Sequence, residues 1–116
     1  MRDKTLKKIG RGSSQGIFSA LEILQKSHIR AVNVDWIIGL PYGEEGDVFQ
    51  DMKYICSRFS CVKHTSIYFL EKGEYPKDWM GICMQDEEQK AEYARMRAYL
   101  LEIGWNHYEI SNFSAP

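Results

Sequence analysis

The sequence predicts an α/β fold in which helices alternate with parallel strands, about three of each. Three observations carry that prediction. Apolar residues recur at helical spacing in three segments and at every second position in three others, and the two kinds alternate along the chain. At 44% hydrophobic and 27% charged, the composition is that of a chain with a core. Its 116 residues fit one domain at most. In the order α-β-α-β-α-β a helix joins each strand to the next, the connection that parallel strands need.

Ser13 and Ser14 open the first helix, where either hydroxyl suits an N-cap and Ile17, Phe18, Leu21 and Leu24 form the apolar stripe. His28, near its end, suits the negative pole of the helix dipole. The first strand covers residues 31–40 and stops where Gly39, Pro41 and Gly43 interrupt regular pairing. Asp47 is placed to cap the second helix, whose stripe is Val48, Phe49, Met52, Ile55, Cys56 and Phe59. A second strand over 64–70 leads into a polar loop, 71–84. The third helix covers 85–103, with Met96, Leu100 and Ile103 as its seam and Gly104 as its C-terminal cap. The last strand covers 107–113. His64 and His107 stand at strand starts, where capping or packing roles are commonest.

Successive side chains of a strand point to opposite faces. Val32, Val34, Trp36 and Ile38 therefore share one face of the first strand, and Asn33, Asp35 and Ile37 the other. In the second strand Ile67 and Phe69 oppose Ser66, Tyr68 and Leu70; in the third, Tyr108 and Ile110 oppose Glu109, Ser111 and Phe113. Each strand thus has a greasy face for helices and a face carrying polar atoms. A parallel sheet covered on both sides would be apolar on both. Two readings of the polar face stand equal: the interior of a barrel that holds a polar ligand, or the solvent side of a small open sheet. Asp35, Glu109, Ser66 and Tyr68 look into the space in the first reading.

The formal charge of −1 offers no electrostatic case for nucleic acid or an anionic membrane. No apolar run approaches the ~20 residues of a transmembrane helix, and the basic start lacks the apolar stretch of a secretory signal. A cytoplasmic protein is expected. The three cysteines, Cys56, Cys61 and Cys83, are odd in number and show no CxxC or CxxxCxxC spacing. Neither a disulfide framework nor a metal site is expected of them, and Cys56 reads as a small core residue.

Four stretches resemble the radical S-adenosylmethionine proteins of the oxygen-independent coproporphyrinogen III oxidase group, and most of all its heme-chaperone subgroup. They are LKKIGRGSS from Leu6, VNVDWIIGLP from Val32, HTSIYFL from His64 and HYEISNFSAP from His107. The resemblance runs over essentially the whole chain. It implies that residues 1–116 form a single partial (β/α) barrel domain of a longer radical SAM protein, acting on or handing over a porphyrin or heme. It implies S-adenosylmethionine and a [4Fe-4S] cluster as cofactors of the parent. The family's cluster-binding CxxxCxxC, its Gly-rich segment and the strand before the LKKIGR stretch have no counterpart here, so this chain alone is not expected to cleave S-adenosylmethionine.

By resemblance, Arg11 and Asp35 contact S-adenosylmethionine, and Tyr68, Glu109 and Asn112 are weaker candidates for the same region. The chemistry is apt. Asp35 can accept hydrogen bonds from ribose hydroxyls or an ammonium, and Arg11 can fork onto a carboxylate. The plainer alternatives are a solvated Arg11 in a basic turn, an Asp35 bonded to backbone, and a Glu109 paired with a neighbour. Two positions depart from the family. Gly12-Ser13 stands where many relatives carry a His, and Trp36 replaces a common Leu, filling a gap against a helix. Two other readings are a cofactor-free α/β interaction module, self-associating through open sheet edges, and a flavodoxin-like domain with GLPYGEEGD as phosphate loop. The latter lacks both the Walker lysine and GxGxxG spacing.

Overall fold

A computed structural model describes residues 3–29, 31–70, 76–79 and 81–116. Helices α1 (Asp3–Lys8) and α2 (Ser14–Lys26) lead into β1 (Val32–Ile38), followed by α3 (Asp47–Arg58) and β2 (Val62–Phe69). Then come a 3₁₀ turn (Lys77–Trp79), α4 (Asp86–Glu102), β3 (Asn106–His107) and β4 (Asn112–Ser114). Of the loop expected over 71–84, residues 71–75 and 80 lie outside the described residues.

The β1-α3-β2 unit is the predicted parallel pair, with Val34 opposite Thr65 and Trp36 opposite Ile67. A register shift between Val32 and Asn33 leaves Lys63 as an extra residue. The core gathers on one face of the sheet. Trp36 and Ile38 of β1 and Ile67 of β2 meet Leu21 of α2, Val48, Met52 and Ile55 of α3, and Met96 and Leu100 of α4. Cys56 is half-buried against the same cluster, and burial pushes its thiol up to about 11.

The third predicted strand is corrected. Residues 107–113 form no single parallel strand: β3 and β4 make an antiparallel hairpin, and β4 runs antiparallel to β2, giving the order β1-β2-β4-β3. The chain reverses at 108–111. There the carbonyl of Ile110 accepts from Tyr93 Oη (3.1 Å) and lies 3.2 Å from His107 Nε2. Arg97 Nε donates to His107 Nδ1 (3.3 Å), so the other ring nitrogen carries the hydrogen that bonds Ile110. The reversal undoes the expected alternation. Ile110 is 88% exposed at the tip, and Phe113, assigned by sequence to the polar face, is fully buried under a stacked His107. Ser111-Asn112 is turn chemistry that supplied a local signal for it.

Three smaller expectations also change. A short helix, α1, precedes the first predicted one. Ile103 is exposed, because α4 ends at Glu102 and the chain leaves helical periodicity there. Asp47 is the first residue of α3 rather than its cap. The cap is Gly46 at φ 95°, and Asp47 Oδ2 accepts instead from Glu44 N (2.7 Å). The orphan donor at the start of α3 goes elsewhere: Gly46 N donates to Glu92 Oε2 of α4 at 2.6 Å, and Glu92 has no exposed surface. Its other oxygen lies 3.9 Å from Arg95, which also bonds Glu45 at 3.0 Å. Burial raises the Glu92 carboxyl above the usual range, while the Gly46 bond and the Arg95 charge pull the other way.

Two predictions follow from this packing. Phe113→Ala should cost ~3–5 kcal/mol, a large share of the ~5–15 kcal/mol typical of a domain. Ile110→Ser should stay within ~0.5 kcal/mol of the parent; urea titration measures both, and equal losses would restore the parallel strand. A carboxyl whose pKa is higher folded than unfolded favours the fold at acidic pH and weakens it as pH rises through the folded value. Glu92→Gln, which keeps an acceptor for Gly46, should therefore melt above the parent near neutral pH, with the gain shrinking toward acid. Glu92→Ala should lose roughly 1–3 kcal/mol at every pH by orphaning that N–H.

Candidate cofactor cleft

Arg11 is set by the end of α1. Gly10 takes the left-handed conformation (φ 72°), Gly10 N donates to Lys7 O (3.2 Å) and Arg11 N donates to Leu6 O (2.9 Å). These are the two bonds of a Schellman motif, with Arg11 as its last residue. Gly12 (φ 80°) and the Ser13 cap, whose hydroxyl accepts from Gly16 N at 3.2 Å, then turn the chain into α2. The corner is tied back by Asp3, which accepts from Ser14 N (2.6 Å) and is held below the usual carboxylate range by that bond. Thr5, buried, donates to Pro41 O at 2.7 Å and fastens α1 to the loop after β1.

Asp35 lies in mid-β1 on the polar face and is exposed, with Asn33 Nδ2 donating to its Oδ1 at 2.6 Å. An exposed carboxylate avoids the desolvation cost of a buried one. Within the described residues the sheet is open, and Asn33, Asp35, Ile37, His64 and Tyr68 of that face are exposed. Asp35 and Arg11 nevertheless line the same cleft, of about 520 Å³, together with residues of α1, α2, β1 and α3. The volume falls in the ~300–1,000 Å³ range of small-molecule sites. The lining is mostly apolar, with Leu6, Ile9, Ile17, Val34 and Ile55 around the polar groups.

The weaker candidates gather next to it. Tyr68, Glu109 and Asn112 line a second, shallower hollow with Ile110 and Ser111, and Tyr68 borders both clefts. Glu109 does not project from a strand as expected. It sits in the hairpin turn, where Asn112 Nδ2 donates to its Oε2 while Asn112 Oδ1 accepts from buried Ser66 Oγ (2.6 Å). His64 is exposed, edge-on to Tyr108, and His107 packs on Phe113. His28 lies beyond the end of α2, whose last turn is closed by Ser27 Oγ donating to Leu24 O (2.8 Å). Most of the lining was left out of the site by sequence reasoning, including one further charged residue, Asp51, on the polar flank of α3.

The donor set does not suit an iron–sulfur cluster. Cys56 lies on α3, Cys61 just before β2 and Cys83 ahead of α4, and among the described residues no three His, Cys, Asp or Glu side chains group to hold a metal. Nor is any helix long and apolar enough to cross a membrane among them.

A parallel β-α-β unit carrying a polar strand face beside an apolar helix layer defines an α/β fold with one exposed sheet face. The whole chain superposes on Escherichia coli coproporphyrinogen III oxidase (HemN), described as a radical SAM enzyme, with TM-score 0.81, at 14% identity and over 28% of that chain. It is also 30% identical, over 96% of its length, to the heme chaperone HemW of Lactococcus lactis subsp. lactis (strain IL1403). The chain spans 31% of that relative. No family model matches. The chain is thus similar in sequence to a part of a heme chaperone and in fold to a part of a coproporphyrinogen III oxidase. Reconstitution of the chain with iron and sulfide should leave no stable cluster absorbance after desalting, since its thiols are scattered.

Proposed function

We propose that this chain supplies part of the S-adenosylmethionine-binding wall of a cytoplasmic radical SAM protein of porphyrin or heme metabolism. The observation that supports the reading is the meeting of Arg11 and Asp35 in one cleft, although they come from a helix corner and a strand 24 residues apart in sequence. Arg11 would hold the methionyl carboxylate, and Asp35 the ammonium or ribose hydroxyls. Tyr68, Glu109 and Asn112 border the neighbouring hollow, on the side where a porphyrin or heme would approach. When bound with a cluster, the cofactor supplies the radical chemistry; the residues here orient it. The cluster's ligands lie outside this set, so the isolated chain binds without cleaving.

Calorimetry with S-adenosylhomocysteine tests this. Asp35→Asn and Arg11→Ala should each weaken binding ~10-fold or more, as expected for charge-assisted bonds of about 1.5–3 kcal/mol, with unchanged far-ultraviolet circular dichroism. Wild-type affinity in both variants would sink the assignment.

A second reading, a cofactor-free interaction module, draws on the exposed end of the sheet. β1 stands at one edge of the four-stranded order, and an edge strand is a template for pairing. Under it the chain self-associates, and light scattering should show mass rising with concentration; a constant monomer mass removes it.

A further inference from the structure

We propose that residues 3–14 form a flap on the larger cleft, clasped to the loop after β1 by Thr5 and Lys4, and that release of the clasp carries Arg11 away from Asp35. The flap stands on geometry alone; that its closing assembles a cofactor site rests on the S-adenosylmethionine reading of the cleft.

The segment is closed at its base. Asp3 accepts from Ser14 N (2.6 Å) and from Ser14 Oγ (3.1 Å), so residues eleven apart in sequence meet at the start of α2. A surface segment of this length with joined ends is an Ω-loop, an element that is frequently functional. Its body is α1, six residues long and too short to be stable by itself, so its place is set by what holds it. Leu6, Ile9 and Arg11 line the cleft. The corner that follows stands in open space: Gly10 and Gly12 are both left-handed, and a Cβ on either would meet nothing within 4 Å.

The clasp joins α1 to the loop after β1. Thr5 Oγ1 donates to Pro41 O at 2.7 Å in a buried bond, and the Lys4 ammonium stands 4.1 Å from the centre of the Tyr42 ring. The receiving loop is held in a costly conformation. Tyr42 has φ 61°, a region that residues with a Cβ rarely adopt. Such strain persists where the surroundings over-determine it, and here Tyr42 N donates to Ile82 O at 2.9 Å while Lys4 covers the ring. Turned this way, Tyr42 offers its ring, and Pro41 its carbonyl, to successive residues of α1. A site assembled in one state only loses apparent affinity by the fraction of chains outside that state. The clasp therefore sets how tightly and how fast a ligand is exchanged.

Amide hydrogen exchange of the ligand-free chain tests the flap. The N–H groups of Ile9, Gly10 and Arg11, bonded to Thr5, Lys7 and Leu6, should exchange through an opening that leaves those of Phe59 and Ile67 protected. Thr5→Val should speed the first set about tenfold, the worth of one hydrogen bond, with Phe59 and Ile67 unchanged. Lys4→Gln should speed it less, and Thr5→Ser should restore the parent rate. Flap amides no faster than Phe59 and Ile67 in the parent overturn the proposal, as does a Thr5→Val effect equal at every amide. S-adenosylhomocysteine should slow the flap amides of the parent and leave Thr5→Val faster by the same factor. If it binds and neither rate moves, the flap assembles nothing and this inference fails while the cofactor reading stands. If it does not bind, the cofactor reading fails and the flap is judged on the ligand-free rates.

Discussion

One buried carboxylate holds the junction on which the rest of this structure leans. Glu92, on the inner side of α4, receives the N–H of Gly46 and so completes the start of α3, whose own cap has no side chain to offer. The acceptor that this helix start lacks locally is delivered from 46 residues away. The same stretch of α4 closes on the loop after β1. Gln89 packs so tightly against Gly39 that an added Cβ would come within 2.6 Å of its amide, and Gly39 sits at φ 99°. Arg95 adds Glu45 on the outside. The loop that separates the first strand from its crossover helix is thus fixed by polar groups of α4 as well as by its own turn bonds, such as Gly43 N to Leu40 O.

The opposite flank of α4 organises the hairpin. Tyr93 and Arg97 fasten the Ile110 carbonyl and His107, and the His107 ring covers Phe113. A helix that reads from sequence as a modest amphipath therefore acts as a spline. Its buried positions, Gln89, Glu92, Met96 and Leu100, follow helical spacing, but two of the four are polar. Gln89 donates to Met84 O and Glu92 Oε2 accepts from Gly46 N, while Glu92 Oε1 has no hydrogen-bond partner among the described residues and only the Arg95 charge at 3.9 Å.

The cleft is a consequence of the same arrangement seen from β1. With all the helices of the core on one face and β1 at the sheet's edge, α1 and its Arg11 corner are the elements that close the space beside that strand, held there by Thr5 on the Pro41 carbonyl. The relation to HemW and the likeness of fold to HemN give this geometry a context, for the match extends along the whole chain while covering under a third of either protein. The few polar groups of the cleft, Arg11, Asp35 and Asp51 among them, stand in an apolar frame.

Much of this was legible in the residues. Alternation in VNVDWII fixed which side chains of β1 meet helices, and the stripes of α2 and α3 with the Ser13 cap and Gly104 were local patterns with periods of two and 3.6. Such patterns are properties of neighbouring residues and survive any tertiary context that buries one face. The hairpin in place of a third parallel strand, the burial of Phe113 and the placing of Glu92 under Gly46 were settled otherwise. Each depends on what an element distant in sequence presents to that point, on hydrogen bonds across tens of residues whose partners no local period announces. The sequence by itself determined the faces; only the folded chain decided which groups met across them.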